Sequence, residues 1–325
     1  MFKLINTATN ESVEISEKLY NSLEGNDEIF FKRRSRLYIP LTKERFIEKS
    51  AELSPDGFIF DLEDSIPVDL KAKARENIAK IPQKRSGIEY ILRINDLDTS
   101  FWQEDLKGFE SYSFDSIMIP KVESAETIEK ISAELRQYKL KKIVLIESIK
   151  GLKHIEEIVD ALSPGDAVGY GAGDISLAFG VSRVPIYESI VLQQALMQIL
   201  MAAKDSGIDV FDPPYRTFSD LVTLRKEAEF CRNLGTTGKQ AIHPTQIDII
   251  NEVYSPSAEE ITRYITEALA FENNPEKQAI GIKGRYVGNP SRRMASKKLK
   301  EFAGKGYVRV EQVSDDNVVP LSACA

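Results

Sequence analysis

Residues 143–151 read IVLIESIKG, an apolar run that ends abruptly in a carboxylate. The four residues from Ile143 to Ile146 do not alternate with polar ones, which is typical of a strand buried on both faces. Glu147 follows at once, and Gly151 comes four residues later. A charged residue directly after a buried strand suggests that the strand ends at a polar site.

Apolar runs of this kind recur along the chain, separated by stretches with helical periodicity. Residues 123–138, 185–207 and 219–235 carry helix start and stop signals. Repeated alternation of strand and helix predicts a parallel (β/α)8 TIM barrel. A doubly wound open sheet is the alternative, but no glycine-rich dinucleotide fingerprint follows the first strand. The eight predicted strands are 35–40, 57–64, 90–95, 116–122, 142–148, 166–174, 209–214 and 239–244.

Composition and charge exclude several classes of protein. The chain has 325 residues and a formal net charge of −7, which argues against a nucleic-acid surface. No apolar run approaches the ~20 residues of a membrane span, and we expect no membrane partner. The two cysteines, Cys231 and Cys324, lie far apart, so we expect neither a disulfide framework nor a zinc site, and a cytoplasmic location. With two histidines in the chain, a metal site would be built mainly from oxygen ligands.

Polar residues follow nearly every predicted strand. The carboxyl ends of barrel strands share one face, and catalytic residues of TIM barrels lie there. We therefore expect a functional site at this face. The residues concerned are Asp61, Glu63, Asp64, Arg93, Asn95, Lys121, Glu147, Asp174, Asp212 and His243.

Each of these residues also has a purely structural interpretation. Glu147 would suit a helix N-terminus, and Asp174 would serve as an N-cap for the helix after it. The acids of DLED at 61–64 would pair with KAKAR at 71–75, which we expect for Asp61 and Glu63. Lys121 would be a solvated charge, and His243 a packed loop residue. Arg93 is different, because a buried arginine must find a partner.

Taken together, the strand ends favour a metal site. Glu147 and Asp174 come from neighbouring strands, and Mg²⁺ takes one or two carboxylates and leaves its other positions to water and substrate. We expect Mg²⁺, with Mn²⁺ as the alternative, held by Glu147 and Asp174. A 2-oxo or 2-hydroxy acid would chelate this ion, and Arg93 would meet the remaining negative charge.

Seven blocks of the sequence occur in the order typical of a known family. They are RSRLYIP (34–40), FIFDLEDSIPVDLKAKAR (58–75), LRIN (92–95), DSIMIPKVES (115–124), LIESIKGLKHIEEI (145–158), GAGDISLAFG (171–180) and GKQAIHPTQIDIINEVYSPSAEEI (238–261). In these blocks the chain resembles the citrate lyase β-subunit-like (CitE-like) enzymes of the HpcH/HpaI aldolase/citrate lyase superfamily, which include malyl- and citramalyl-CoA lyases. The resemblance implies a barrel of the phosphoenolpyruvate/pyruvate type.

The resemblance also implies roles for individual residues. Glu147 and Asp174 match the metal ligands, and Arg93 matches the arginine that binds the substrate carboxylate and the developing enolate. Glu63 or Asp64, or a metal-bound water, would accept the hydroxyl proton. We further expect Gly173, Arg34 and Arg45, together with Arg93, Glu147 and Asp174, to contact the substrate.

The implied activity is cleavage or formation of a carbon–carbon bond. A 3-hydroxy acyl thioester of the citryl, malyl or citramalyl type, carried by CoA or by an acyl-carrier protein, would yield an acyl thioester and a 2-oxo acid. One alternative is a pyruvate-type aldolase acting on free hydroxy-oxo acids, which is disfavoured because DLEDSIP at 61–67 has no histidine. Another is a repurposed relative that binds a metabolite or a partner protein.

The two ends of the chain fall outside the predicted barrel. We expect an N-terminal extension at 1–30, a catalytic barrel at 31–273 and a C-terminal segment at 274–325 that crosses to another subunit of a trimer or hexamer. In CoA-dependent relatives this segment supplies an aspartate within a GxMvDxP pattern, whereas GRYVGNP here has Gly288 at that position. We therefore expect slow thioester turnover, with Asp315 and Asp316 as the alternative acids.

Overall fold

Strands and helices alternate along the chain, as the sequence predicts. A computed structural model describes residues 2–23 and 31–312. The strands of these residues are β1 Phe2–Asn6, β2 Ser12–Ile15, β3 Ser35–Pro40, β4 Gly57–Asp61, β5 Glu89–Arg93, β6 Ser116–Ile119, β7 Lys141–Ile146, β8 Ala167–Tyr170, β9 Asp209–Asp212, β10 Gly238–Ala241, β11 Ala279–Ile282, β12 Arg285–Gly288 and β13 Val308–Gln312.

The helices are mostly short, and a few 3-10 turns lie between them. The α-helices are α1 Glu17–Leu23, α2 Glu44–Lys49, α3 Lys71–Glu76, α4 Trp102–Leu106, α5 Gly108–Ser111, α6 Ala125–Glu134, α7 Ile149–Lys153, α8 Ile155–Asp160, α9 Ala172–Ala178, α10 Ile190–Asp205, α11 Leu221–Leu234, α12 Ile247–Tyr254, α13 Ala258–Glu272 and α14 Asn289–Gly304. The 3-10 turns are Ser50–Glu52, Val68–Leu70, Asn77–Lys80, Ile186–Glu188 and Pro244–Gln246.

Strands β3 to β10 close into a barrel. All eight are parallel, and β10 pairs with both β9 and β3 to complete the ring. The register places Asp61 opposite both Pro40 and Arg93, so the last residues of three neighbouring strands lie side by side. The predicted (β/α)8 barrel is confirmed, and all eight predicted strands are present.

Several predicted runs extend past the observed strand ends. The run 166–174 contains β8, which ends at Tyr170, and the first residues of α9, which begins at Ala172. Asp174 therefore lies in the first turn of α9 rather than at its N-cap, which is Gly171. The sequence does not mark this boundary, because α9 is also buried at its start, for example at Ile175.

Capping residues determine where the longer helices begin. Ser189 accepts a hydrogen bond from the Leu192 N–H at the start of α10, so this helix begins five residues after the predicted Pro185. Asp220 caps α11 in the same way through Thr223 N–H, and α11 ends at Gly235, whose φ of 118° suits glycine.

The barrel interior is filled by side chains. Apolar side chains form a middle layer: Ile59, Ile91, Met118, Ile143, Leu145, Ala167 and Phe211, with Tyr38 packed against them. Toward the amino ends of the strands, Arg36 is fully buried, lies 3.5 Å from the centre of the Phe211 ring and pairs with Glu89 at 2.8 Å. The interior is closed below this layer, so a ligand would enter from the carboxyl ends of the strands.

Residues 33–255 form one compact unit, and both ends of the chain form another. In the second unit β1 pairs with β2 and β13 in an antiparallel sheet, whose core includes Leu4, Ile265, Leu299 and Phe302. Helix α13, which we expected in the barrel, belongs to this unit because its apolar face packs there. The two ends of the chain thus share a hydrophobic core that the sequence did not predict.

None of the described helices is both long and apolar enough to cross a membrane.

Candidate active site

Two carboxylates converge at the mouth of the barrel. Glu147 directly follows β7, and Asp174 lies in the first turn of α9. A Cβ atom built on Gly171 would lie 2.7 Å from Glu147 Oε1 and 3.1 Å from Asp174 Oδ2. The two oxygens therefore face the same point of the backbone, and they can approach it because Gly171 has no side chain.

The free oxygens of this pair suit a hard divalent cation. Glu147 Oε2 accepts a hydrogen bond of 3.0 Å from the Lys121 backbone N–H, which leaves Oε1 available. Asp174 is exposed, and its carboxylate makes no hydrogen bond or ion pair with the described residues. Residues 2–23 and 31–312 contain no cluster of three or more His, Cys, Asp or Glu side chains that could hold a metal. Two carboxylates with open positions match the preference of Mg²⁺.

Burial makes Glu147 a weak acid. Its pKa rises to about 7, first because the side chain is buried and second because Glu63 is negatively charged; Arg93 opposes this shift, and Asp174 adds to it. A divalent cation between Glu147 and Asp174 would offset both the burial cost and the repulsion.

Arg93 is held by acids of the neighbouring strand and loop. Its Nε and Nη2 donate to the two oxygens of Asp61 at 2.6 and 2.7 Å, and its Nη1 lies 2.9 Å from Glu63 Oε2. The expectation that Asp61 and Glu63 pair with the KAKAR helix is wrong, because strand register brings Asp61 beside Arg93. Lys71 of that helix donates to the backbone carbonyls of Leu62 and Glu63 instead.

Glu63, Asp64 and Lys121 form an ionic group next to Arg93. Lys121 Nζ lies 2.8 Å from Glu63 Oε1 and 3.3 Å from Asp64 Oδ1. Burial raises the pKa of Glu63, although Arg93 acts to lower it. Lys121 has a φ of 52°, unusual for a residue with a side chain, and this conformation places its N–H at Glu147 and its ammonium at Glu63. Lys121 is thus part of the site.

Tyr38 and Gln240, which no sequence pattern singled out, support Arg93 from inside the barrel. The Arg93 guanidinium lies 4.8 Å from the centre of the Tyr38 ring. The Tyr38 hydroxyl donates to Gln240 Oε1 at 2.8 Å. Both residues belong to predicted strands, but only the barrel register reveals that they point inward below the mouth.

Arg216 was also missed. It lies in the exposed loop after β9, and a Cβ atom on Gly173 would overlap its Nη2 atom. The predicted Gly173 is therefore in the site, with the guanidinium of Arg216 against its backbone. No sequence pattern singles out Arg216, because the loop has no periodicity.

The two other arginines expected at the substrate, Arg34 and Arg45, lie at opposite ends of the barrel. Arg34 precedes β3, at the opposite end of the barrel, where it pairs with Asp56 at 2.7 Å and donates to Ser255 Oγ. The expectation that Arg34 contacts the substrate therefore needs correction: a residue that precedes a barrel strand lies at the amino ends of the strands, away from the mouth. Arg45 is exposed in the first turn of α2, which follows β3, so it lies on the side of the mouth.

The remaining strand-end residues have structural partners. Asn95 donates to Asp105 through its backbone N–H and its side chain, at 2.8 and 2.6 Å. Asp212 accepts a bond of 2.7 Å from Lys239 Nζ, and both side chains are buried together with Glu227 of α11. His243 stacks on Phe218 at 4.6 Å and contacts Thr245, so it remains a packed loop residue.

Gly288 of the C-terminal segment has an extended backbone, with φ of −111°. A Cβ atom there would lie 2.9 Å from the Tyr286 hydroxyl, and Tyr286 is 81% exposed, so its ring is free to move away. An aspartate therefore fits at this position. Asp315, Asp316 and Cys324 lie outside the described residues.

Known proteins resemble this chain in sequence. The family model described as HpcH/HpaI aldolase/citrate lyase matches residues 34–244. A (3S)-malyl-CoA thioesterase of Cereibacter sphaeroides (strain ATCC 17029 / ATH 2.4.9) is 35% identical over 77% of this chain and 86% of its own length. An L-malyl-CoA/beta-methylmalyl-CoA lyase of Rhodobacter capsulatus is 33% identical over 81% of this chain and 92% of its own length.

Solved structures share the fold. CitE from Mycobacterium tuberculosis, in complex with magnesium, acetoacetate and coenzyme A, superimposes with a TM-score of 0.70 at 24% identity, covering 84% of this chain and 98% of that one. The citrate lyase β subunit of the same organism, complexed with oxaloacetate and magnesium, gives 0.60 at 25% identity, covering 69% and 97%. These structures show the shared fold, and the family match and the relatives above show that the chain belongs to the HpcH/HpaI aldolase/citrate lyase family.

Proposed function

We propose that the chain is a carbon–carbon lyase that cleaves a 3-hydroxy acyl-CoA thioester of the malyl type, with Mg²⁺ held by Glu147 and Asp174. The observation that carries this proposal is the convergence of two free carboxylate oxygens on Gly171 beside the buried Arg93. The named lyase relative supports the thioester, and the magnesium complex of the citrate lyase β subunit supports the metal. We also propose that the protein is cytoplasmic and forms a homo-oligomer, a trimer or a hexamer.

The proposed reaction shifts electrons from the 3-hydroxyl oxygen, through the C2–C3 bond, to the thioester carbonyl oxygen. The 3-hydroxyl loses its proton, the bond between C2 and C3 breaks, and its electrons form the enolate of the acyl thioester. The former carbinol carbon leaves as the carbonyl of a 2-oxo acid, and the enolate then takes up a proton. A bound Mg²⁺ would supply Lewis-acid polarisation of substrate oxygens.

The chain's own residues have separate tasks in this reaction. Glu63 or Asp64 accepts the hydroxyl proton, and the raised pKa of Glu63 brings this group closer to neutral pH, where proton transfer is efficient. Arg93 and Lys121 keep positive charge next to these acids, where the enolate develops negative charge. Asp61 and Tyr38 fix the Arg93 guanidinium, so little reorganisation is needed during the reaction.

The test is calorimetric binding of pyruvate in the presence of Mg²⁺. We expect Glu147→Gln to abolish metal-dependent binding, because a neutral amide is a far weaker ligand for this ion. Glu129→Gln, an exposed change of the same kind on α6, is the matched control and retains binding. Unchanged, metal-dependent binding by Glu147→Gln places the metal elsewhere.

Thioester hydrolysis is the second candidate, because the Cereibacter relative of 35% identity is a thioesterase. One assay separates the two reactions. Malyl-CoA with Mg²⁺ yields glyoxylate and acetyl-CoA if the carbon–carbon bond is cleaved, and malate and free CoA if the thioester is hydrolysed. Free 4-hydroxy-2-oxo acids in the same assay examine the aldolase alternative, and citryl-CoA and citramalyl-CoA define the acyl group.

A further inference from the structure

Arg216 carries a positive charge that the described part of the protein does not pair. Its side chain is exposed and makes no hydrogen bond or ion pair there, while its guanidinium lies against the backbone of Gly173. Asp174, one of the two converging carboxylates, is the next residue. An arginine so close to the site, yet without an acidic partner, is available to a ligand.

The loop that carries Arg216 is fixed on both sides of it. Lys239 Nζ donates to the Pro213 carbonyl at 2.7 Å, and Gln246 Nε2 donates to the Tyr215 carbonyl at 2.8 Å. Downstream, Asp220 caps α11. Lys239 and Gln246 are both buried, so these contacts are shielded from water. The backbone at position 216 is therefore held in place, which lowers the cost of ordering the side chain around a ligand.

Two cations inside the mouth, Arg93 and Lys121, are already neutralised by protein carboxylates. Arg93 uses three nitrogen atoms on Asp61 and Glu63, at 2.6 to 2.9 Å. Lys121 bridges Glu63 and Asp64. An anionic substrate that enters this mouth meets acids that outnumber the free positive charges. Arg216 supplies a charge that is not already committed to a protein carboxylate.

The geometry points to Arg216 as the residue that binds the carboxylate of the 2-oxo acid, a role that the sequence analysis gave to Arg93. This inference rests on the proposed function for the presence of a 2-oxo acid. A planar guanidinium offers two parallel N–H groups to a carboxylate, and it does so without moving a proton. Gly173 makes this possible, because any side chain there would occupy the place of the guanidinium. Arg93 would then orient the reacting oxygen.

Pyruvate binding with saturating Mg²⁺ tests the assignment. We expect Arg216→Ala to weaken pyruvate binding about 10–100-fold, which corresponds to the loss of a hydrogen bond to a charged group. Arg216→Lys should weaken pyruvate binding less, because the positive charge remains although the two parallel N–H donors of the guanidinium are lost. Arg136→Ala removes an exposed arginine between α6 and β7, at the other end of the barrel, and should leave pyruvate binding unchanged. Affinity for Mn²⁺ alone should be unchanged in all three variants, since Arg216 is not a ligand of the metal.

Gly173→Ala provides an independent route to the same site. The added methyl group displaces the Arg216 guanidinium, so this variant should weaken pyruvate as Arg216→Ala does. The double variant should be no weaker than Arg216→Ala, because the two changes remove one interaction. Additive losses in the double variant contradict the assignment.

Two results separate this inference from the proposed function. If the wild-type protein binds pyruvate in a metal-dependent way and Arg216→Ala binds it equally well, the role of Arg216 is wrong and the proposed function stands. If the wild-type protein binds no pyruvate with Mg²⁺, both are wrong.

Discussion

Glu147, the proposed metal ligand, destabilises the folded protein when its carboxylate is charged. Its side chain is 9% exposed and lies near Glu63 and Asp174, so the charged form is disfavoured in the metal-free protein. A group kept in this state is typical of sites that have a task beyond stability. The cost follows from placing negative charge in a partly closed mouth, as the proposed metal site requires.

We expect the stability of the metal-free protein to fall as the pH rises from about 4.5 to about 7. Below this range the Glu147 carboxyl is protonated in both states. Within it the unfolded chain releases the proton while the folded protein retains it, and above it the full penalty of about 3 kcal/mol is present. Denaturant unfolding in EDTA at pH 5 and pH 8 measures the effect.

Glu147→Gln should remove this contribution and stabilise the metal-free protein at pH 8. Glu129→Gln should leave the pH dependence as in the wild type. An equal loss of stability with pH in Glu147→Gln and in the wild type would falsify the burial argument. Added Mg²⁺ should restore stability at pH 8 in the wild type and not in Glu147→Gln, because binding to the folded state stabilises it.

At the scale of elements, β9, β10 and α11 are joined by a buried ionic group. Lys239 Nζ lies 2.7 Å from Asp212 and 2.8 Å from Glu227, and all three side chains are fully buried. Burial raises the pKa of Asp212 to about 7, against the effect of Lys239. The group fixes the end of β9, and with it the loop that carries Arg216.

Lys239→Met should destabilise the protein by about 3–5 kcal/mol, because Asp212 is left buried without its cation and Glu227 keeps only the longer ion pair with Arg183, at 3.9 Å. Lys153→Met, at an exposed position of α7, is the control and should change stability little. Urea unfolding gives both values. A loss in Lys239→Met no larger than in the control means that water or another residue reaches the two acids.

The elements of the barrel could be predicted because buried parallel strands leave continuous apolar runs. The run from Ile143 to Ile146 is one example, and Glu147 was found because it ends such a run. The pairing of Asp61 with Arg93 was missed, although both end neighbouring strands, because the helix at 71–75 offered nearer charges. Arg216 could not be found, since its contact with Gly173 depends on how a loop without periodicity folds.

At the scale of the whole molecule, both candidate catalytic acids and both candidate metal ligands lie in the unit 33–255. The other unit, built from the two ends of the chain, has its own core and carries Gly288. The resemblance of the C-terminal segment predicts an acid where this chain has Gly288, so we still expect the barrel to work without that acid or with a different donor.

We expect the protein to assemble into a trimer or hexamer. Leu177, Phe179 and Val181 are 79%, 47% and 40% exposed and follow one another at the end of α9, and a row of exposed apolar side chains of this kind is typical of an interface. Light scattering should therefore give a small multiple of the 36.6 kDa chain. Leu177→Asp should shift the mass downward, whereas Lys153→Met should not. A wild-type mass of one chain contradicts this expectation.

The glycines of GYGAGD at 169–174 shape the mouth by what they leave out. A methyl group on Gly169 would meet Gln240, one on Gly171 would meet Glu147 and Asp174, and one on Gly173 would meet Arg216. At each of these three positions, a polar side chain occupies the space where a Cβ atom would lie. A glycine-to-alanine substitution therefore has a different effect at each position. At Gly169 it disturbs the residues that support Arg93, at Gly171 it displaces a proposed metal ligand, and at Gly173 it displaces the Arg216 guanidinium. The absence of side chains at three positions of this stretch of six residues therefore determines where the polar groups of the site can lie.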